Sequence, residues 1–409
     1  MAFLAVNGGK RACNYEWPSW PIWGDEERLG LAGVLESGQW AYGEKVRQFE
    51  SEFARFQGAK FAVTASSGTT ALEAALTAIG IGAGDEVIIP PYTSIATAGA
   101  VLRVNAVPVF ADIQPWTLCI DPDDVELKVT ERTKAIIPVH VAGYICDMDR
   151  LRDVARARNL FIVEDACHAC GSQWMDRGAG TLGKCGVLSF NAPNNISSAE
   201  GGIIVTDDAE VADACRRYTN GGRGKNASWD QHFTLGSNLR ITEFQAAILL
   251  AQLTRLSAQI AQRQENAVFL TDELREIRGI LTVEHDPRIT RRSYHTFPFR
   301  IDTKLLKVTR DRFVEALAAE GVPVSAGYAA PLYTDPLLGG IAKESECCPT
   351  SCPYHNRKLD YSRVSCPVCE QICSDTCWFP HNLLLAKPDA MDIVVKAVAK
   401  VSRHAKELR

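Results

Sequence analysis

Seven short apolar runs, each closing in a turn or a polar residue, punctuate the first 210 residues and alternate with amphipathic stretches. They read "KFAVTAS", "DEVIIPP", "AVPVFADI", "KAIIPVHVAG", "LFIVEDA", "GVLSFNA" and "GGIIVTDD". Between them, "GTTALEAALTAIG" and "DMDRLRDVARARN" repeat Leu and Ala at helical spacing. This alternation is the signature of βα units around a mostly parallel sheet, so it predicts a large α/β domain.

The 409 residues suit two or three domains. From about 238 to 278 the pattern reads as one long helix or two, suited to bridging domains. Beyond it the pattern turns α+β. "SYHTFPFRID" and "VPVSAG" read as strands, "TRDRFVEALAAEG" as a helix closed by Gly321, and "DAMDIVVKAVAKVSRHAKEL" as a terminal helix. The expected division is 1–265 for the large domain with its N-terminal segment, and 266–409 for a smaller C-terminal α+β domain.

A net charge of -5 with 23% charged residues points away from nucleic acid and from a polybasic membrane surface. The apolar start ends at Asn7-Gly8-Gly9, too short for a signal peptide core, and no stretch approaches a membrane span. The expected address is cytoplasmic, with small-molecule or protein partners. The 14 cysteines then read as reduced thiols, seven of them after residue 340. Cys366, Cys369, Cys373 and Cys377 fall along one face if that segment is a single helix. A helix rises about 1.5 Å per residue, so the four cannot share one ion whose thiolates sit about 2.3 Å away. Packing is the expected role, with no metal; a zinc site recruiting Cys347, Cys348 or Cys352 is the alternative.

Three motifs carry chemistry. In "TASSGTTALEAAL" a strand passes through Ser66, Ser67 and Gly68 into a helix near Thr69, where free N–H groups, hydroxyls and the helix dipole can hold an anion or simply form an N-cap. "LFIVEDACHACG" ends an apolar strand with Glu164 and Asp165, followed by His168. A carboxylate there meets a cation or donor, such as a protonated heteroaromatic nitrogen, or caps the strand end. "GVLSFNAPNNISSAEGGIIVTDD" is a strand, a polar loop and a second strand.

In this order and spacing the three motifs resemble the DegT/DnrJ/EryC1/StrS family of sugar and cyclitol aminotransferases, which have the fold-type I, aspartate aminotransferase-like architecture. The likeness extends through "GDEVIIPPYTSIATAGAVL", "GSNLRITEFQAAILLAQL" and "SCPVCEQICSDTCWFPHNLLL". It implies pyridoxal phosphate (PLP) or pyridoxamine phosphate (PMP), with Asp165 on the pyridinium nitrogen and His168 against the ring. Gly68, Thr69 and Ser189 would hold the phosphate. Asn238 and Arg240 would reach a neighbouring subunit's site, implying a dimer, and Tyr294, His295 and Tyr328 are candidate substrate contacts.

Two positions depart from the family pattern. Its cofactor loop places a lysine where "SFNAPNNISSAEGG" has Asn194, and no lysine occurs between Lys184 and Lys225. That lysine links PLP covalently and then moves a proton; a carboxamide does neither. The family's ring-stacking aromatic is replaced by Ser94, with Tyr92 two residues earlier as a compensating ring. Three readings follow. The chain is an enzyme binding PLP or PMP non-covalently, with His168 managing the proton on a keto-sugar or cyclitol substrate; some relatives with histidine for lysine are PMP-dependent sugar dehydratases. It is instead a catalytically silent subunit paired with a lysine-bearing paralogue, or a binding or regulatory protein, so that the dimer is either a homodimer or a heterodimer with that paralogue. Or it is an ordinary aminotransferase with a lysine from elsewhere.

Overall fold

A computed structural model describes residues 3–224, 228, 230–344, 348, 353–355 and 359–409. The seven apolar runs form β1 (Phe61–Ala65), β2 (Glu86–Ile89), β3 (Val107–Phe110), β4 (Thr133–Ile136), β5 (Phe161–Asp165), β6 (Cys185–Ser189) and β7 (Gly202–Thr206). They make one sheet in the order β1-β7-β6-β5-β4-β2-β3. The run from β6 to β3 is parallel, and β7 is antiparallel to both neighbours. Every residue of β2, β6 and β7 is buried. The pleat sends Val87, Ile89, Val187 and Ile204 into one core and Ile88, Leu188, Ile203 and Val205 into another, so both faces demand apolar side chains.

The stretch read as one helix or two is a single helix, Glu243–Arg275, begun by a reciprocal cap between Thr242 and Gln245. Its Leu249, Leu256 and Ile260 pack into the large-sheet core, while Ala267, Leu270 and Leu274 join a third core. That core packs against a second sheet of β8 (Ile280–Thr282), β9 (Thr296–Ile301), β10 (Ser325–Ala326) and β11 (Thr376–Pro380). The order is β8-β9-β11-β10, all antiparallel. Leu4 and Cys13 of the N-terminal segment also pack there. Gly321 follows the Arg310–Ala319 helix at φ +96°, and a Cβ on it would meet the Cys13 carbonyl oxygen at 2.3 Å.

The four-cysteine face needs correction. The helix runs only from Pro367 to Asp375, so Cys366 is its cap and Cys377 lies on β11. Only Cys369 and Cys373 share a helical face, with Sγ atoms 3.9 Å apart. All four are buried in apolar cores. Cys347 and Cys352 lie outside the described residues, among which no group of three His, Cys, Asp or Glu is placed to hold a metal. No helix of the described residues is long and apolar enough to cross a membrane.

Candidate active site

The carboxyl ends of β1, β2, β5 and β6 open onto one cavity of about 390 Å³, where the polar residues that follow these strands converge. Gly68, Thr69, Ser94, Asp165, His168, Ser189, Asn194, His295 and Tyr328 line it together.

Its anion-binding end is the start of the Gly68–Ala78 helix. Ser67 Oγ accepts from Thr70 N at 3.2 Å and Thr70 Oγ1 accepts from Ser67 N at 3.0 Å, which caps the helix. The N–H groups of Gly68 and Thr69 stay free, as the first turn of any helix leaves them. A Cβ at Gly68 would meet Ser189 Cβ at 2.9 Å and Cys167 Sγ at 3.1 Å, so only glycine keeps this cradle bare. Helix dipole, amides and the hydroxyls of Thr69 and Ser189 suit a phosphate.

Strand alternation separates the two acids of β5. Glu164 is fully buried on the far side, accepting from the N–H groups of Gly180, Leu182 and Gly183 and bonded to His140 Nε2 at 2.9 Å. Asp165 faces the cavity. Its Oδ2 accepts from Thr97 Oγ1 at 2.9 Å and its Oδ1 from Cys167 N at 3.2 Å. Such a carboxylate is held in orientation with acceptor capacity to spare for a ring N–H.

The His168 ring stacks on His295, with centroids 3.9 Å apart and planes 4° from parallel. His168 Nδ1 is buried without a partner, leaving Nε2 as the nitrogen open to the cavity. Burial lowers the His168 pKa, with Asp165 pulling the other way. His295 is pushed well below its ordinary value by burial and then by His168, His381 and Arg263, and burial with Arg263 brings His381 down to about 3. All three imidazoles are therefore neutral at pH 7.

Asn194 is committed at both ends. Its Nδ2 donates to the Ser189 carbonyl at 2.8 Å and its Oδ1 lies 3.1 Å from His295 Nε2. A carbonyl oxygen only accepts, which fixes the amide's orientation and makes His295 Nε2 the donor. His295 then keeps a lone pair on Nδ1, which is buried and unpartnered.

Several expected residues stand elsewhere. Tyr92 is no substitute ring for the cavity: it is fully buried, edge-on to Tyr328 and Trp378 at 5.1 and 6.3 Å, and lines no part of the site. Ser94 does face the cavity, but as the cap of the Ile95–Arg103 helix. Tyr294 lines a second cavity. Asn238 pairs with Asn220 through backbone, Arg240 donates to Asn220 Oδ1 at 2.7 Å, and both lie outside this chain's cavity. Lys184 is tied to Asp208 at 2.6 Å, away from the cavity, and Lys225 lies outside the described residues. No local pattern marks Thr97, which orients Asp165, or Asn195, whose Nδ2 donates to the Ser293 carbonyl at 2.8 Å and steadies the segment carrying His295.

A bare helix N-terminus, an oriented carboxylate and a flanking imidazole at the carboxyl ends of a mixed sheet fit a pyridoxal-type cofactor, on an aminotransferase-like α/β fold. The chain belongs to the DegT/DnrJ/EryC1/StrS aminotransferase family, which it matches over residues 21–399. It is 38% identical to L-glutamine:scyllo-inosose aminotransferase of Streptomyces griseus, covering 99% of each chain. It is 36% identical to 3-amino-5-hydroxybenzoate synthase of Amycolatopsis mediterranei, covering 94% of this chain and 98% of the other. The crystal structure of 3-amino-5-hydroxybenzoic acid synthase superposes with a TM-score of 0.86 at 34% identity, over 95% of this chain and 99% of that one. NtdA of Bacillus subtilis, solved with bound cofactor PMP, superposes with a TM-score of 0.81 at 27% identity, over 95% and 86%.

Proposed function

We propose that this chain binds PLP or PMP without a covalent link and acts on the ketone of a cyclitol or sugar, with His168 handling the proton that the family assigns to a lysine. The observation that carries this reading is the commitment of Asn194 to Ser189 and His295, while no lysine lines the cavity among the described residues.

Gly68, Thr69 and Ser189 would hold the phosphate, and Asp165, kept in place by Thr97, would accept from the ring nitrogen. The cofactor when bound supplies an electron-accepting ring beside the substrate carbon. His168, neutral at pH 7 and open to the cavity through Nε2, can take up a proton and return it. Among the described residues the lining holds Asp165 and Glu200 but no lysine or arginine, and it is fringed by the hydroxyls of Thr93 and Ser94. That suits an uncharged polyol, in keeping with a relative named for scyllo-inosose. Asn238 and Arg240 would serve the neighbouring subunit of a dimer.

Ser94 in place of a stacking ring, with Tyr92 turned away, favours a second reading in which the chain is a silent subunit beside a lysine-bearing paralogue. An ordinary aminotransferase would need a lysine from outside the cavity lining, and Lys184 is held by Asp208.

Absorbance titration of the purified chain with PLP and with PMP, followed by borohydride treatment and intact mass, separates the three. Saturable binding with no retained cofactor mass is expected. A retained PLP adduct would sink the non-covalent reading, and failure to bind either form would support the silent subunit.

A further inference from the structure

A second cavity, of about 380 Å³, lies where the Glu243–Arg275 helix faces the segment 283–294. The Arg292 guanidinium, which lines it, lies over two rings, 4.4 Å from the Tyr294 centroid and 5.1 Å from that of Tyr144. Its Nε is buried without a partner, and its NH2 reaches only the Ala142 carbonyl, at 3.5 Å. Among the described residues no carboxylate pairs with it. The Arg292 side chain is half-buried, and a cation whose buried Nε has no partner has donor capacity left for an anion.

The same cavity carries the opposite charge. Glu284 lines it, exposed and without an ion pair among the described residues, whereas Asp286 is occupied by Arg288 at 2.7 Å. Glu284 and Arg292 line the same cavity, alongside Asp272 and Arg275. Val268, Val283 and Ile289 add an apolar surface.

We infer that this cavity binds a free α-amino acid with an apolar or aromatic side chain, its carboxylate on Arg292, its ammonium on Glu284 and its side chain against the apolar surface. A guanidinium flanked by rings recognises a carboxylate, and a partly enclosed pocket strengthens each charge contact relative to open water. The site is separate from the candidate active site, although one short segment borders both: Arg292 and Tyr294 face this cavity and His295 faces the other.

Isothermal titration calorimetry of the purified chain with L-phenylalanine tests it, alongside 3-phenylpropanoate, which lacks the ammonium, and 2-phenylethylamine, which lacks the carboxylate. Saturable binding of L-phenylalanine is expected, with each truncated probe weaker by about tenfold or more. Arg292→Gln and Glu284→Gln should each weaken it by about tenfold, while Asp165→Asn in the other cavity leaves it unchanged. No saturable binding, an unchanged affinity in Glu284→Gln, or a loss in Asp165→Asn would each overturn the assignment. Glu284 is exposed, so that variant carries the test even where Arg292→Gln fails to fold.

Discussion

Across 101 positions of sequence, Asn194 Oδ1 accepts the Nε2 proton of His295 at 3.1 Å, and the His295 ring lies flat against His168. Asn194 thus acts through a neighbour, fixing the tautomer of the ring stacked on His168. Both rings line the cavity, but His295 Nε2 is committed to Asn194, which gives His295 the positioning part.

Asn194→Lys removes both carboxamide hydrogen bonds and returns an amine to this position. Retention of PLP mass after borohydride is expected in the variant and not in the parent chain, read by intact mass spectrometry. The lost bonds and the buried ammonium should lower stability by about 1–3 kcal/mol. A parent chain that traps PLP would contradict the role given to Asn194.

Asp165→Asn replaces the charged acceptor facing the cavity. Affinity for PMP should fall by about tenfold to a hundredfold, because a hydrogen bond to a charged group is worth about 1.5–3 kcal/mol. Thr97→Val should give a smaller loss in the same direction, since it frees Asp165 to rotate. Equal affinities in fluorescence titration would remove Asp165 from the site.

Gly68→Ala puts a methyl 2.9 Å from Ser189 Cβ and 3.1 Å from Cys167 Sγ. Phosphate-bearing ligands should bind at least about tenfold more weakly. PMP and pyridoxamine, compared in one titration series, report this directly: the variant should lose most of the advantage that the phosphate confers. An undiminished preference for PMP would place the phosphate elsewhere.

The stacked imidazoles make stability depend on pH. His168, His295 and His381 all have folded pKa values below the ordinary 6.5, so the unfolded chain binds protons that the folded chain refuses. Their contribution is complete above about pH 6.5 and is lost as pH falls toward the folded values, which for His381 is about 3. Urea midpoints should therefore decline between pH 6.5 and 5, a window above most carboxylate titration. His295→Gln should reduce the slope by up to about 1.4 kcal/mol per pH unit, the limit set by one proton. A flat profile over that window would contradict the neutral stack.

The seven strands were legible from sequence because each core strand is apolar on both faces, a requirement written into consecutive residues such as Val87, Ile88 and Ile89. The stretch from Ser189 to Gly202 was equally legible as a strand, a polar loop and a second strand, since these are properties of contiguous sequence. The cysteine face failed where Pro367 starts the helix late and Thr376 turns extended, leaving Cys377 to a strand.

Sequence by itself determined the family, the order of the sheet-forming runs and the presence of asparagine at position 194. Tertiary structure alone decided that Glu164 is a buried anchor while Asp165 faces the cavity, and that Tyr92 packs away from it. It alone brought His295 from the small-sheet side of the chain onto His168 and Asn194. The reason is range. Periodicity and motif report what neighbours along the chain require, whereas a side chain's partner across many positions depends on how separately formed elements pack, and the sequence of neither element carries that geometry.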